Sequence, residues 1–178
     1  MANVKIRESL ERNKNITNEV KQNIIELVDV FEQSFPAINL DNLAERLKTL
    51  IIKRESKYLV KIPCEYNAFK NEILVNKGKF EGCEAKHWMM HCLLQMITAK
   101  ENYCGFDNAD NTLVGLNEGY TEVLTNFLVG DVDNNFYTDE IIIVNLIGKV
   151  IGNNVLLNSY FSNDTESVLR AMIEAEVK

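Results

Sequence analysis

The stretch EAKHWMMHCLLQMIT, residues 84–98, carries both histidines of the chain, His87 and His91, and its reading organises the rest. Four positions apart on a helix, the two imidazoles project from one face within about 6 Å of each other, close enough to share one metal ion. Around them Ala85, Trp88, Met89, Met90, Cys92, Leu93, Leu94, Met96 and Ile97 leave only a narrow polar stripe of Glu84, His87, His91, Gln95 and Thr98. A helix this apolar is expected to be buried, and a buried polar stripe needs partners. The alternative is an amphipathic surface helix whose stripe faces water.

The 178 residues, 46% hydrophobic and 25% charged, suit one domain with a sizeable core, expected to span residues 1–178. A net charge of −7, with no clustered run of Lys and Arg, argues against nucleic acid as a partner. The charged start MANVKIRESLERNKN lacks the apolar centre of a signal peptide, and no 18-residue apolar run suggests a membrane span, so a cytoplasmic protein is expected. Cys64, Cys83, Cys92 and Cys104 show no C-x-x-C spacing and are expected as reduced thiols, Cys92 as core packing.

Residues 1–50 read as support. After a polar lead, Thr17 caps a helix with Val20, Ile24, Leu27, Val28 and Phe31 on one face, ending before Pro36, and Asp41 starts a second helix with Leu43, Leu47 and Leu50 inward. Residues 51–178 form the core. IIKR, KYLVKI and NEILVNK predict a small antiparallel sheet with turns at Pro63 and at Asn67 to Asn71. The histidine helix follows, then helices over GLNEGYTEVLTNFLVG, from Thr138 to Val150, from Asn153 to Phe161 and from Asp164 to Val177, the last with Val168, Leu169, Met172 and Ile173 inward. Gly115 and Gly119 are tolerable in their helix where backbones pass closely. The class is α+β: a small antiparallel sheet packed against a metal-site helix pair, with helical N- and C-terminal parts.

Two histidines need a third protein ligand to hold zinc. Glu118, on the helix after the histidine helix, is the candidate, and Glu122 one turn on shares its face and can accept a ring N–H that fixes a ligand histidine's tautomer. The competing reading of this pair is a solvated helix face.

His87-Trp88-Met89-Met90-His91 followed by Asn117-Glu118-Gly119-Tyr120-Thr121-Glu122 resembles the gluzincin group of zincin-fold zinc metallopeptidases, which bind zinc through the histidines of H-E-x-x-H and a downstream glutamate. GLNEGYTEVLT and the YF-x-ND pattern of Tyr160 to Asp164 are also similar to small cytosolic zincin-like proteins of bacteria. The resemblance covers roughly residues 58 to 165. It implies His87, His91 and Glu118 as zinc ligands, with Glu122 holding a ligand histidine in place, and NEILVNK as a sheet edge along which a peptide adds as a strand.

One position departs from that pattern. The glutamate after the first histidine, the general base in the family, is Trp88 in this chain, and the loss of general acid–base catalysis removes typically about 10²- to 10⁴-fold in rate. Glu84 leans away from a metal between the histidines, Glu101 and Glu122 serve as substitutes only if the fold brings them near, and Cys83 is too far along the helix to join both histidines at one ion. The leading expectation is therefore an inactive or weakly active metallopeptidase-like protein that holds a divalent metal, zinc by resemblance, and a peptide or protein partner in its cleft. The alternatives are an active zinc hydrolase with a non-standard base and a metal-free interaction module on the same scaffold.

Overall fold

The computed structural model describes residues 2–56, 62–77, 84–107, 112–130 and 136–176. Helices α1 (Ala2–Arg12), α2 (Asn18–Ser34) and α3 (Asp41–Leu47) precede strands β1 (Ile51–Glu55), β2 (Cys64–Asn67) and β3 (Glu72–Asn76). Five further helices follow: α4 (Glu84–Thr98), α5 (Val114–Val129), α6 (Thr138–Ile151), α7 (Asn153–Ser162) and α8 (Thr165–Glu176). The α+β class with helical ends holds, and no single helix among the described residues is long and apolar enough to cross a membrane.

The polar N-terminal lead, to which no element is assigned from sequence, is helix α1, with Ile6 and Leu10 in the core. Thr17 caps α2, its hydroxyl accepting from the Val20 N–H at 3.4 Å, and Ile24, Leu27, Val28 and Phe31 are buried. Each such side chain removed from water stabilises the fold by about 1.5–3 kcal/mol before entropy is counted. Leu43, Leu47 and Leu50 are buried as the spacing predicts.

The sheet is mixed rather than antiparallel. Its order is β1-β3-β2: β2 and β3 form an antiparallel hairpin, and β1 lies parallel to β3 with Ile51 opposite Glu72. The chain leaves β1, places β2 beyond the gap and then turns back to fill that gap with β3, so a parallel pair results without a helical crossover between them. NEILVNK is therefore the central strand and not the edge, because β1 and β2 occupy both of its hydrogen-bonding sides. Most of KYLVKI, expected as a strand, lies outside the described residues. The third strand is CEYN, which lies between the expected turn at Pro63 and the one starting at Asn67; only Cys64 and Tyr66 face inward, and four residues are too few for alternation to stand out.

From His87 to Thr98 helix α4 is buried on all sides, including His87, His91, Gln95 and Thr98, so this part of the polar stripe does not face water. Its last carbonyls are held by residues remote in sequence. Asn42 Nδ2 donates to Met96 O, Ile97 O and Ala99 O at 2.9–3.1 Å, and Asn163 Nδ2 donates to Thr98 O at 2.9 Å. These bonds fill acceptors that a helix C-terminus leaves open.

Helix α6 packs closely on α5 because of Gly119, where a Cβ would stand 2.7 Å from the backbone of Glu140; at Gly115 the nearest atom is 3.8 Å away. On α8 only Val168 is buried. Leu169, Met172 and Ile173, expected inward, are exposed, together with Ile142, Ile143, Leu146 and Val150 of α6, because among the described residues no element covers that face.

Candidate functional site

The polar stripe of α4 meets the polar face of α5. As the numbering rises along α4 it falls along α5, so the helices are antiparallel and two turns of one register against two turns of the other. Glu122 stands between the histidines: its Oε1 lies 2.7 Å from His87 Nε2 and its Oε2 lies 2.9 Å from His91 Nδ1. Glu118 Oε2 lies 3.1 Å from His91 Nε2, and Gln95 Nε2 donates to Glu118 Oε1 at 2.9 Å. The second nitrogen of His87, Nδ1, is 3.3 Å from Gly130 O. All four ring nitrogens thus face oxygen acceptors.

Charge within the cluster follows from these contacts. Burial opposes a proton on His91, but the carboxylates of Glu118 and Glu122 outweigh it and raise its pKa to about 10. Burial likewise opposes charge on Glu122, and the hydrogen bonds from His87 and His91 outweigh it, lowering its pKa to about 2. At neutral pH His91 is an imidazolium donating from both nitrogens to two carboxylates, and Glu122 is ionised.

The four residues singled out by spacing are therefore brought together, in an arrangement that differs from the expected one. Glu122 holds His91 Nδ1, and His91 Nε2 points at Glu118. His87 does not join them: its Nε2 is bonded to Glu122 and not directed to the His91–Glu118 pair. As placed, the three expected ligands do not all face one another, and His91 must also give up a proton before it can ligate. Among the described residues no group of three or more His, Cys, Asp or Glu side chains is arranged to hold a metal ion.

Trp88 is buried at 1% exposure, its indole against both imidazoles with centroids at 5.2 and 5.8 Å. It packs edge-on against Phe136 and takes no part in lining the adjoining cavity. Of the substitutes for the missing base, Glu122 is fully engaged by the histidines, and Glu101 is exposed and lines a separate hollow with Asn42 and Arg46. The side chain of Glu84, and Cys83, lie outside the described residues.

The cavity, about 560 Å³, opens between β2 and the cluster. Its lining includes Cys64 to Phe69 from β2 and the turn after it, His91, Gln95, Asn117 and Glu118 from the helix pair, and Tyr137. The Oε1 of Gln95 is buried without a hydrogen-bond partner among the described residues. Among the described residues β2 pairs only with β3 and is an edge of the sheet.

Tyr137 was not found by spacing. It is a left-handed residue, φ 60°, at the start of α6, its ring lies 5.5 Å from that of His91 at 12°, and its hydroxyl bonds Glu118. Asn117 was recognised only as part of the motif. Its Oδ1 accepts from the Phe106 N–H at 3.2 Å, which seats the loop beside Glu118, and Gly105 (φ 57°) allows this because a Cβ there would stand 2.0 Å from Asn117 Oδ1.

Compared with known proteins, the chain matches no family model, no curated protein and no solved structure.

Proposed function

We propose that this protein binds an extended peptide or protein segment without hydrolysing it, on a zincin-like scaffold whose histidine–glutamate cluster has become a wall of the binding cavity. The observation that carries this reading is the cavity itself: β2, an edge of the sheet among the described residues, and the His91–Glu118 pair line the same cavity. A strand added to β2 gains main-chain hydrogen bonds, and the partly exposed Glu118 offers an acceptor to its donors. Hydrolysis is left out because Trp88 occupies the base position, away from the cavity, and Glu122 is engaged by both histidines. Residence in the cytoplasm belongs to the same reading, supported by the free thiols Cys64, Cys92 and Cys104.

The test is an NMR titration of the isotope-labelled protein with unstructured casein peptides, followed by mass spectrometry of the peptides after incubation. Shifts confined to residues 64–69, Gln95, Glu118 and Tyr137, with the peptides intact, are expected. No shifts in the cavity, or cleavage, overturns the reading.

A second reading is favoured by one contact, His91 Nε2 facing Glu118 while Glu122 holds Nδ1: a divalent ion at His87, His91 and Glu118 after His87 turns away from Glu122. It predicts stoichiometric metal in the purified protein that is lost in both His87→Ala and Glu118→Ala, measured by elemental analysis after dialysis.

A further inference from the structure

Two thiols from distant parts of the chain meet beneath the cavity. Cys64 opens β2, Cys92 follows His91 on α4, and their Sγ atoms are 2.8 Å apart, inside the roughly 3.5–4.0 Å of ordinary non-bonded contact. Both side chains are buried, at 1% and 0% exposure, and Cys64 Sγ also lies 3.1 Å from Trp88 O. Cys64 lines the cavity, which gives a small oxidant a way in, whereas Cys92 does not line it. Cys104 lines the same cavity and is engaged elsewhere, its sulfur 3.6 Å from Asn117 Nδ2.

We infer that Cys64 and Cys92 form a reversible disulfide on exposure to peroxide, tying the edge strand β2 to the histidine helix α4. The Cys64 thiolate attacks one oxygen of hydrogen peroxide, breaking the O–O bond and giving a sulfenic acid, while the departing hydroxide takes the thiol proton as water. Cys92 then attacks the sulfenic sulfur, forming the S–S bond, and its proton leaves with the displaced hydroxyl as a second water. Two thiols and one peroxide thus become one disulfide and two waters. A dithiol reductant reverses the change. The bond closes a loop that includes the whole of β3 and the first half of α4, so the oxidised chain is constrained in its unfolded state and resists unfolding more than the reduced one. It also holds the cavity wall against the residue next to His91. The inference rests on the thiol geometry and stands whether or not a peptide binds.

The experiment treats the intact protein with hydrogen peroxide, blocks remaining thiols under denaturing conditions, digests it and searches for linked peptides by mass spectrometry. The expected product joins the peptide of Cys64 to that of Cys92, two hydrogens lighter than the reduced pair, with Cys104 recovered as a blocked thiol. Both cysteines recovered as blocked thiols, Cys64 recovered as a sulfinic acid without a link, or Cys64 joined instead to Cys83 or Cys104, overturns the assignment. Thermal melting of the unmutated protein gives an independent readout: the oxidised form is expected to melt higher, returning to the original value with reductant. An unchanged or lower melting temperature in a sample shown to be linked means that the native fold does not accommodate the bond.

Discussion

The ring of Tyr137 lies flat on the imidazole of His91, with centroids 5.5 Å apart and planes 12° apart, while its hydroxyl bonds the same glutamate that His91 contacts. Tyr137→Phe keeps the stack and removes only the bond to Glu118, so it is expected to lower stability by about 1 kcal/mol. Tyr137→Ala also removes a ring against the imidazolium and is expected to cost about 2–4 kcal/mol. Urea denaturation of both variants checks the order; equal losses mean that the stack contributes nothing.

The cluster predicts an asymmetric response to pH. His91, ordinarily at 6.5 and raised to about 10 in the fold, contributes stability that is complete below about pH 6.5 and is lost as pH rises through 10. Glu122, ordinarily at 4.5 and lowered to about 2, contributes stability that is present above 4.5 and is lost as pH falls through 2. Stability from the cluster is therefore expected to be greatest between about pH 4.5 and 6.5, and His91→Gln is expected to flatten the alkaline limb. A variant with the same alkaline loss as the unmutated protein would show that the loss arises elsewhere.

Among the carboxylates, Glu122→Ala is expected to cost about 3–5 kcal/mol, because it leaves two buried imidazoles without their shared acceptor. Glu118 is partly exposed, at 18% of its side chain, and keeps access to water, so Glu118→Ala is expected to cost less than half as much. Parallel denaturation curves decide it. A larger loss at Glu118 would make Glu118, rather than Glu122, the centre of the cluster.

The two glycines of α5 are expected to respond with opposite signs. Gly119→Ala forces a Cβ to 2.7 Å from the Glu140 backbone and is expected to cost about 1–3 kcal/mol as overpacking. Gly115→Ala has open space and is expected to stabilise by up to about 1 kcal/mol through helix propensity. Melting temperatures of the two variants, moving in opposite directions, check the prediction.

Helix α4 was legible because its apolar residues surround a polar stripe at helical period, and the meeting of His87, His91, Glu118 and Glu122 was legible because each pair repeats at four on neighbouring helices. The pairing within the cluster was not, since one side-chain rotation decides whether His87 faces Glu122 or a shared ion. Strand β2 escaped notice because CEYN is shorter than any alternating pattern that can be recognised, and the central place of β3 follows from how the hairpin fills the gap beside β1, which no local residue encodes. Tyr137 and the Cys64–Cys92 contact depend on a loop geometry and on a long separation in the chain. The inward face expected of α8 followed the correct period, but nothing in the period says whether another element covers it.

The carbonyl end of the histidine helix is finished by amides from both extremes of the chain, Asn42 from before the sheet and Asn163 from after α7, across separations of 54 to 65 residues. Such closures are entropically slow and give no reward until both flanks are in position. The histidine–glutamate cluster therefore matures late in folding, and a nascent or truncated chain lacking either flank leaves that helix frayed at the end nearest the cavity.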